Sequence, residues 1–303
     1  MDTRRRVALL SIGAGASTLL LKFLAYWWTG SVGLLSDAAE SGVNLAAALF
    51  AFAMISYACR PPDYTHHYGH EKAEYLSSTL EGGLIVLAAG GIAYAAVQRL
   101  LHPVPLHELG HGLVVALVAS SINFAVARVL MHYARRYDSI ALEADAQHLL
   151  TDVWTSLGVL VGVAVAGISG WYILDPLIAL AVAGNIVRVG ISLLRQSLDG
   201  LLDRALPAEE IESIRQVISE VAGPETPYHG LRTRKSGNRR FVDFHLLVPG
   251  DMSVRDAHRI ADRIERHINE KLPNTYVTIH IEPLEDASSW DAQDVGGISS
   301  HCS

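Results

Sequence analysis

Long apolar stretches broken by short polar ones fill the first two thirds of the chain, and a mixed, charged pattern replaces them near residue 200. Six stretches reach the roughly 20 residues that a helix needs to cross hydrocarbon. They run Val7 to Thr29, Val32 to Ala58, Leu76 to Leu101, Leu109 to Tyr133, Leu142 to Ile168 and Trp171 to Leu194. The connections differ in charge. Arg4, Arg5, Arg6, Arg60, Lys72, Arg135 and Arg136 fall on one side, whereas the loops near Gly30, from His102 to His107, and at Ser169-Gly170 hold no Lys or Arg. The positive-inside rule then predicts six spans with both termini in the cytoplasm. Trp27-Trp28 and Trp171-Tyr172 fall at the outer interfaces, where aromatic rings commonly sit. The basic start is read as the flank of a retained first span, because the apolar run continues through Trp28, beyond the length of a signal core.

The soluble part reads helix, strand, strand, helix, strand. Ala208 to Val221 opens with the acids Glu209 and Glu210, and Ser253 caps a second helix reaching Leu272. Strand signals cover His229 to Thr233, Arg240 to Val248 and Tyr276 to Glu282, with Ser236-Gly237-Asn238 as the hairpin turn. The expected layout is a membrane domain over 1–200, a junction over 201–206, a small α+β domain over 207–285 and a disordered tail over 286–303.

Composition narrows the function. Of 303 residues 50% are hydrophobic and the formal charge is -7, with no basic run beyond Arg4-Arg5-Arg6, so nucleic acid is not expected as a partner. Cys59 and Cys302 make no disulfide framework. No nucleophile-and-base arrangement in a soluble cleft suggests an enzyme.

Polar residues inside the spans carry the chemistry. Glu40/Asn44 and His148/Asp152 are each four apart, so each pair shares one helix face, and two such faces would converge four ligands on one point. Nitrogen and oxygen donors in that number suit Zn²⁺, and also Fe²⁺, Co²⁺ or Mn²⁺. Hydrogen bonding between helices is the ordinary alternative. Asp37 and Asp145, three residues earlier on each span, are read as gate or structural groups. His148 is the expected proton carrier, since imidazole titrates near neutrality and binds metal only when deprotonated.

Three further groupings stand out. Asp63, His66 and His70 lie within a Pro- and Gly-marked loop and could hold an exposed ion. Strand alternation turns Val242, Phe244, Leu246 and Val248, with Val277, Ile279 and Ile281, toward a core, and leaves His245, His280 and Glu282 on the opposite face. With His229 and His258 they make a candidate metal-binding surface. Lys72 and Asp203 could form an ion pair tying the membrane bundle to the soluble domain.

The motifs GSVGLLSDAAES, HHYGHEKAE, EADAQHLLTDV, LLDRALP, HGLRTRKSG, FHLLV and IHIEP together resemble the cation diffusion facilitator family, closely its bacterial zinc and iron exporter branch, from about Gly13 to Pro283. The resemblance implies a homodimer of six-helix protomers in the lipid of a bacterial inner (plasma) membrane, each with a cytoplasmic ferredoxin-like αββαβ domain, exchanging metal for protons by alternating access. It assigns transport to Glu40, Asn44, His148 and Asp152, a loop site to Asp63, His66 and His70, and a binuclear cytoplasmic site to His229, His245, His258, His280 and Glu282. Lys72 and Asp203 match the family's interlocking salt bridge.

Two departures are visible. The family commonly has Asp where Glu282 stands, and Asp-x-x-x-Asp or His-x-x-x-Asp where this chain reads Glu40-x-x-x-Asn44. The expected activity is therefore efflux of a divalent metal, Zn first, with Fe, Mn, Co, Ni and Cd open. The competing reading is a membrane metal sensor or metallochaperone platform without net transport.

Overall fold

A computed structural model describes residues 3–29, 32–102, 110–169, 173–223 and 226–290. The chain packs as two compact units, Met1–Asp199 and Gly200–Ser303.

The first unit is helical. Its six long helices are α1 (Thr3–Thr29), α2 (Val32–Ala58), α3 (Ala73–Leu101), α4 (Gly110–Tyr137), α5 (Ile140–Ser169) and α6 (Leu174–Leu201). Among the described residues all but α5 are apolar and long enough to cross a membrane, and α5 carries Glu143, Asp145 and Asp152 in its first half. Small residues let these helices approach. Ala8, Ala127, Ala134, Ala141 and Ala146 fill the seam of α1, α4 and α5 around Ile55, Leu130 and Leu142. A second cluster joins α3, α5 and α6 through Ile85, Ala89, Ala144, Ile186 and Leu193. Large apolar side chains such as Leu20, Trp27, Leu87 and Val114 are left exposed, as expected of helix faces turned to lipid.

At one contact only glycine fits. A Cβ on Gly190 of α6 would stand 2.7 Å from Val86 Cγ2 and 3.1 Å from the carbonyl oxygen of Gly82, and one on Gly82 would meet the Gly190 carbonyl at 3.2 Å. The α3 and α6 backbones thus touch, as small residues permit. Two hydroxyls extend this contact: Ser197 donates to the Tyr75 carbonyl and lies 2.7 Å from Thr79 Oγ1. These bonds accompany α6 as it continues helically to Leu201, past the expected end of the span at Leu194.

The second unit contains α7 (Ala208–Ala222), β1 (Tyr228–Ser236), β2 (Arg239–Val248), α8 (Val254–Lys271), β3 (Thr275–Pro283) and a 3₁₀ turn, Ala287–Trp290. Ser253 caps α8 by accepting from the Asp256 backbone N–H. The sheet order is β1-β2-β3, with β1/β2 antiparallel and β2/β3 parallel. Both helices pack on one face against Val242, Phe244, Leu246 and Val248, together with Ile214, Ile218, Ile264 and Ile268. Burying a side chain such as Phe244 is worth about 1.5–3 kcal/mol. Val277 and Ile279 join this core, but Ile281 on the edge strand is exposed. The expected tail begins instead with the ordered turn Ala287–Trp290, where the Trp290 indole N–H donates to the Leu284 carbonyl at 3.1 Å. The remaining tail positions, 291–303, lie outside the described residues.

Candidate transport and metal sites

Helices α2 and α5 face each other, and their matching spacings bring Asn44, His148 and Asp152 into one chain of hydrogen bonds. Asn44 Nδ2 donates to Asp152 Oδ2 at 2.7 Å, and Asn44 Oδ1 lies 2.9 Å from His148 Nε2. The amide orientation fixes the proton. An amide oxygen only accepts, so His148 must carry a hydrogen on Nε2 in this arrangement. His148 is buried and its Nδ1 has no hydrogen-bond partner among the described residues. Glu40, one turn before Asn44, is exposed and acts electrostatically on His148.

Two groups absent from the sequence reading join this centre. Asn123 of α4 donates from Nδ2 to Asp152 Oδ2 at 3.3 Å, and Lys22 of α1 acts electrostatically on the same carboxylate. An amide and a cation within apolar spans were the available signals. Asp145 is buried, accepting from Ser11 Oγ at 2.7 Å, with its second oxygen lacking a hydrogen-bond partner among the described residues. The side chain of Asp37 lies outside the described residues.

The loop between α2 and α3 gathers Asp63, His66 and His70, whose ligand atoms lie within 4.8 Å of one another. Asp63 Oδ1 accepts from the Thr65 hydroxyl and from the Thr65 and His66 backbone N–H groups, each at 2.8 Å, and Oδ2 lies 3.2 Å from His70 Nε2. The Thr65 hydroxyl first, then these backbone donors, hold the Asp63 carboxyl far below the usual carboxylate range. His70 is buried against Tyr57, ring centroids 4.6 Å apart, whereas His66 and His67 are exposed.

In the second unit Glu282 collects three imidazoles. His229 Nε2 is 3.0 Å from Oε2, while His245 Nδ1 at 3.0 Å and His280 Nε2 at 3.5 Å approach Oε1. Register explains the grouping, because His229 pairs with His245 across β1/β2 and His245 with His280 across β2/β3. A bulge assists: His229 and Arg232 oppose His245 and Asp243, so β1 holds one extra residue there, with Gly230 at φ 62. Trp290 stacks on His229, centroids 6.3 Å apart and planes 19° apart. Burial alone would raise the Glu282 carboxyl, yet the hydrogen bonds and charge of His229 and His245 leave it below its ordinary value. His258 is not brought into this group; it is exposed on α8, with Nε2 3.9 Å from Asp262 Oδ1.

Asp203 pairs with Arg234 Nη1 at 3.4 Å within its own unit, and Lys72 belongs to the other unit.

Residues 8–202 match the cation efflux transmembrane domain and residues 206–284 the cytoplasmic domain of cation efflux proteins. The chain is 48% identical over 290 residues to the uncharacterized transporter sll1263 of Synechocystis, covering 96% of this chain and 94% of that one. It is 33% identical over 278 residues to the cation-efflux pump FieF of Klebsiella pneumoniae, covering 92% of each. Among solved structures, the metal-bound C-terminal domain of the CzcD transporter from Thermotoga maritima is 29% identical, with a TM-score of 0.24, covering 27% of this chain and 99% of that one. The chain is thus an integral, multi-pass membrane protein with a C-terminal cytoplasmic domain, and it belongs to the cation diffusion facilitator family of cation-efflux transporters.

Proposed function

We propose that the protein exports a divalent transition metal from the cytoplasm in exchange for protons. The hydrogen-bonded chain His148–Asn44–Asp152 supports this most directly. For His148 Nε2 to ligate a metal its proton must leave, and for Asp152 Oδ2 to ligate, an amide N–H must let go. Metal and proton therefore compete for the same atoms. Glu40, Asn44, His148 and Asp152 would hold the cargo midway, with His148 as the proton carrier; alternating access would then open the site outward, where protons displace the metal.

Imidazole with two carboxylates makes zinc the leading cargo, with iron, manganese, cobalt, nickel and cadmium as alternatives. Asp63, His66 and His70 would hold a loop ion, and Glu282 with His229, His245 and His280 a regulatory ion in the cytoplasmic domain. The protein would act as a homodimer in a bacterial plasma membrane with both termini inside. The layout of a membrane domain over 1–200 and a regulatory domain over 207–285 completes the reading. The test is reconstitution into vesicles carrying a metal-sensitive dye and a pH dye. Metal entry should be accompanied by proton movement in the opposite sense. A His148→Ala protein that exchanges metal at the parent rate would sink the assignment.

A further inference from the structure

We infer that Asn123 of α4 is a member of the cation site and widens the range of metals it accepts. The inference rests on reading Asn44, His148 and Asp152 as the transport site. Asn123 is 7% exposed, on a helix packed along α5. Its Nδ2 reaches Asp152 Oδ2, the oxygen that also receives Asn44 Nδ2. That contact orients the carboxamide, because a carboxylate oxygen calls for the nitrogen end. The other end is then left over: Asn123 Oδ1 is buried and has no hydrogen-bond partner among the described residues.

Buried polar atoms of this kind are rare in native proteins and call for an explanation. A cation bound to Asp152 supplies one. A carboxamide oxygen is a neutral, hard donor, suited to Mn²⁺ and Fe²⁺, which take oxygen ligands and more than four of them. Glu40, Asn44, His148 and Asp152 alone make a four-donor set of the kind zinc fills. Adding Asn123 Oδ1 raises the number of donors to five without adding charge. The amide thereby lets the site accept oxygen-preferring metals beside zinc.

The experiment compares Mn²⁺ and Zn²⁺ transport by the full chain in vesicles. Asn123→Leu should raise the KM for Mn²⁺ by about 10–100-fold, the usual cost of removing a group that supports a metal site. The KM for Zn²⁺ should change much less, with thermal stability in detergent kept near the parent's. Asn123→Asp, which retains an oxygen at that point, should restore Mn²⁺ transport. Asn123→Ser, which keeps an oxygen but shortens its reach, should show the same discrimination as Leu if the Leu protein fails to insert. Equal effects on both metals, or none, would overturn the inference. The His148→Ala protein run in parallel separates the two ideas. If it is inactive while Asn123→Leu matches the parent, only the role of Asn123 falls; if it transports both metals normally, the transport-site reading falls and takes Asn123 with it.

Discussion

Arg4 Nη1 donates to Glu74 Oε1 at 2.9 Å, joining the start of α1 to the start of α3 in a pair that is almost wholly buried. Glu74 Oε2 accepts in addition from the Ser139 hydroxyl, just before α5. One carboxylate thus holds three helix ends. Arg4→Ala would strand that charge, and breaking a buried pair from one side costs about 3–5 kcal/mol. A large drop in thermal midpoint in detergent is expected, with Glu74→Gln milder because the amide keeps an acceptor for Ser139.

Asn44→Asp replaces the amide between His148 and Asp152 with a carboxylate. Two acids would then face each other where an N–H bond now holds them, a conflict that a proton or a metal ion relieves. Zinc should gain affinity over manganese in the vesicle assay, and transport should depend more steeply on pH. Unchanged selectivity would show that Asn44 does not discriminate.

Gly190→Ala would place a methyl 2.7 Å from Val86 Cγ2 and 3.1 Å from the Gly82 carbonyl. Val86 is β-branched and has little freedom to yield. Overpacking of this sort costs about 1–3 kcal/mol, measurable as a lower thermal midpoint. Gly184→Ala, where a Cβ meets nothing within 4 Å, is the control expected to leave stability intact.

Arg240 grips Glu210 with two bonds of 2.8 Å, and these bonds together with the Arg240 charge hold the Glu210 carboxyl below its ordinary value of 4.5. The unfolded chain therefore takes up the proton first. The stabilisation is complete above 4.5 and is lost as pH falls through the lower folded-state value. Solvent screening keeps it within about 1 kcal/mol. Hydrogen exchange of β2 in the full chain should accelerate on acidification through this range, and less so in Glu210→Gln.

Glu282→Gln leaves three imidazoles around a neutral amide. Zinc binding by the full chain should weaken at the cytoplasmic cluster, read as loss of a metal-induced change in Trp290 fluorescence, while stability at neutral pH is kept. An unaltered fluorescence response would place the metal elsewhere.

Much of this was legible in the chain because the signals are periodic. Twenty-residue apolar runs announce helices across hydrocarbon, and a spacing of four announces a shared face, so Asn44, His148 and Asp152 could be named together. Asn123 could not, since the polar residue at helical spacing from it is Ser120 rather than a second carboxylate or imidazole, and it acquires its meaning from α5. The turn at Ala287–Trp290 escaped for a similar reason: small polar residues suggest disorder, and the bond from Trp290 to Leu284 that anchors them has no sequence pattern. His258 looked like a fourth imidazole by count, but α8 carries it away from the sheet face where the other three meet.

The bulge in β1 has a mechanical meaning for the cytoplasmic cluster. Arg232, Arg234 and Ser236 follow one alternation, and by that beat His229 belongs with Leu231 on the core side. One residue of slack at Gly230 reverses the phase and delivers the imidazole to Glu282. Drawing the strand straight would swing His229 inward and turn its neighbour Tyr228 out of the core that it now joins. Of the three imidazoles around Glu282, this one owes its place to a backbone kink, and Gly230→Ala would strain that kink while setting a methyl 3.5 Å from the His245 ring.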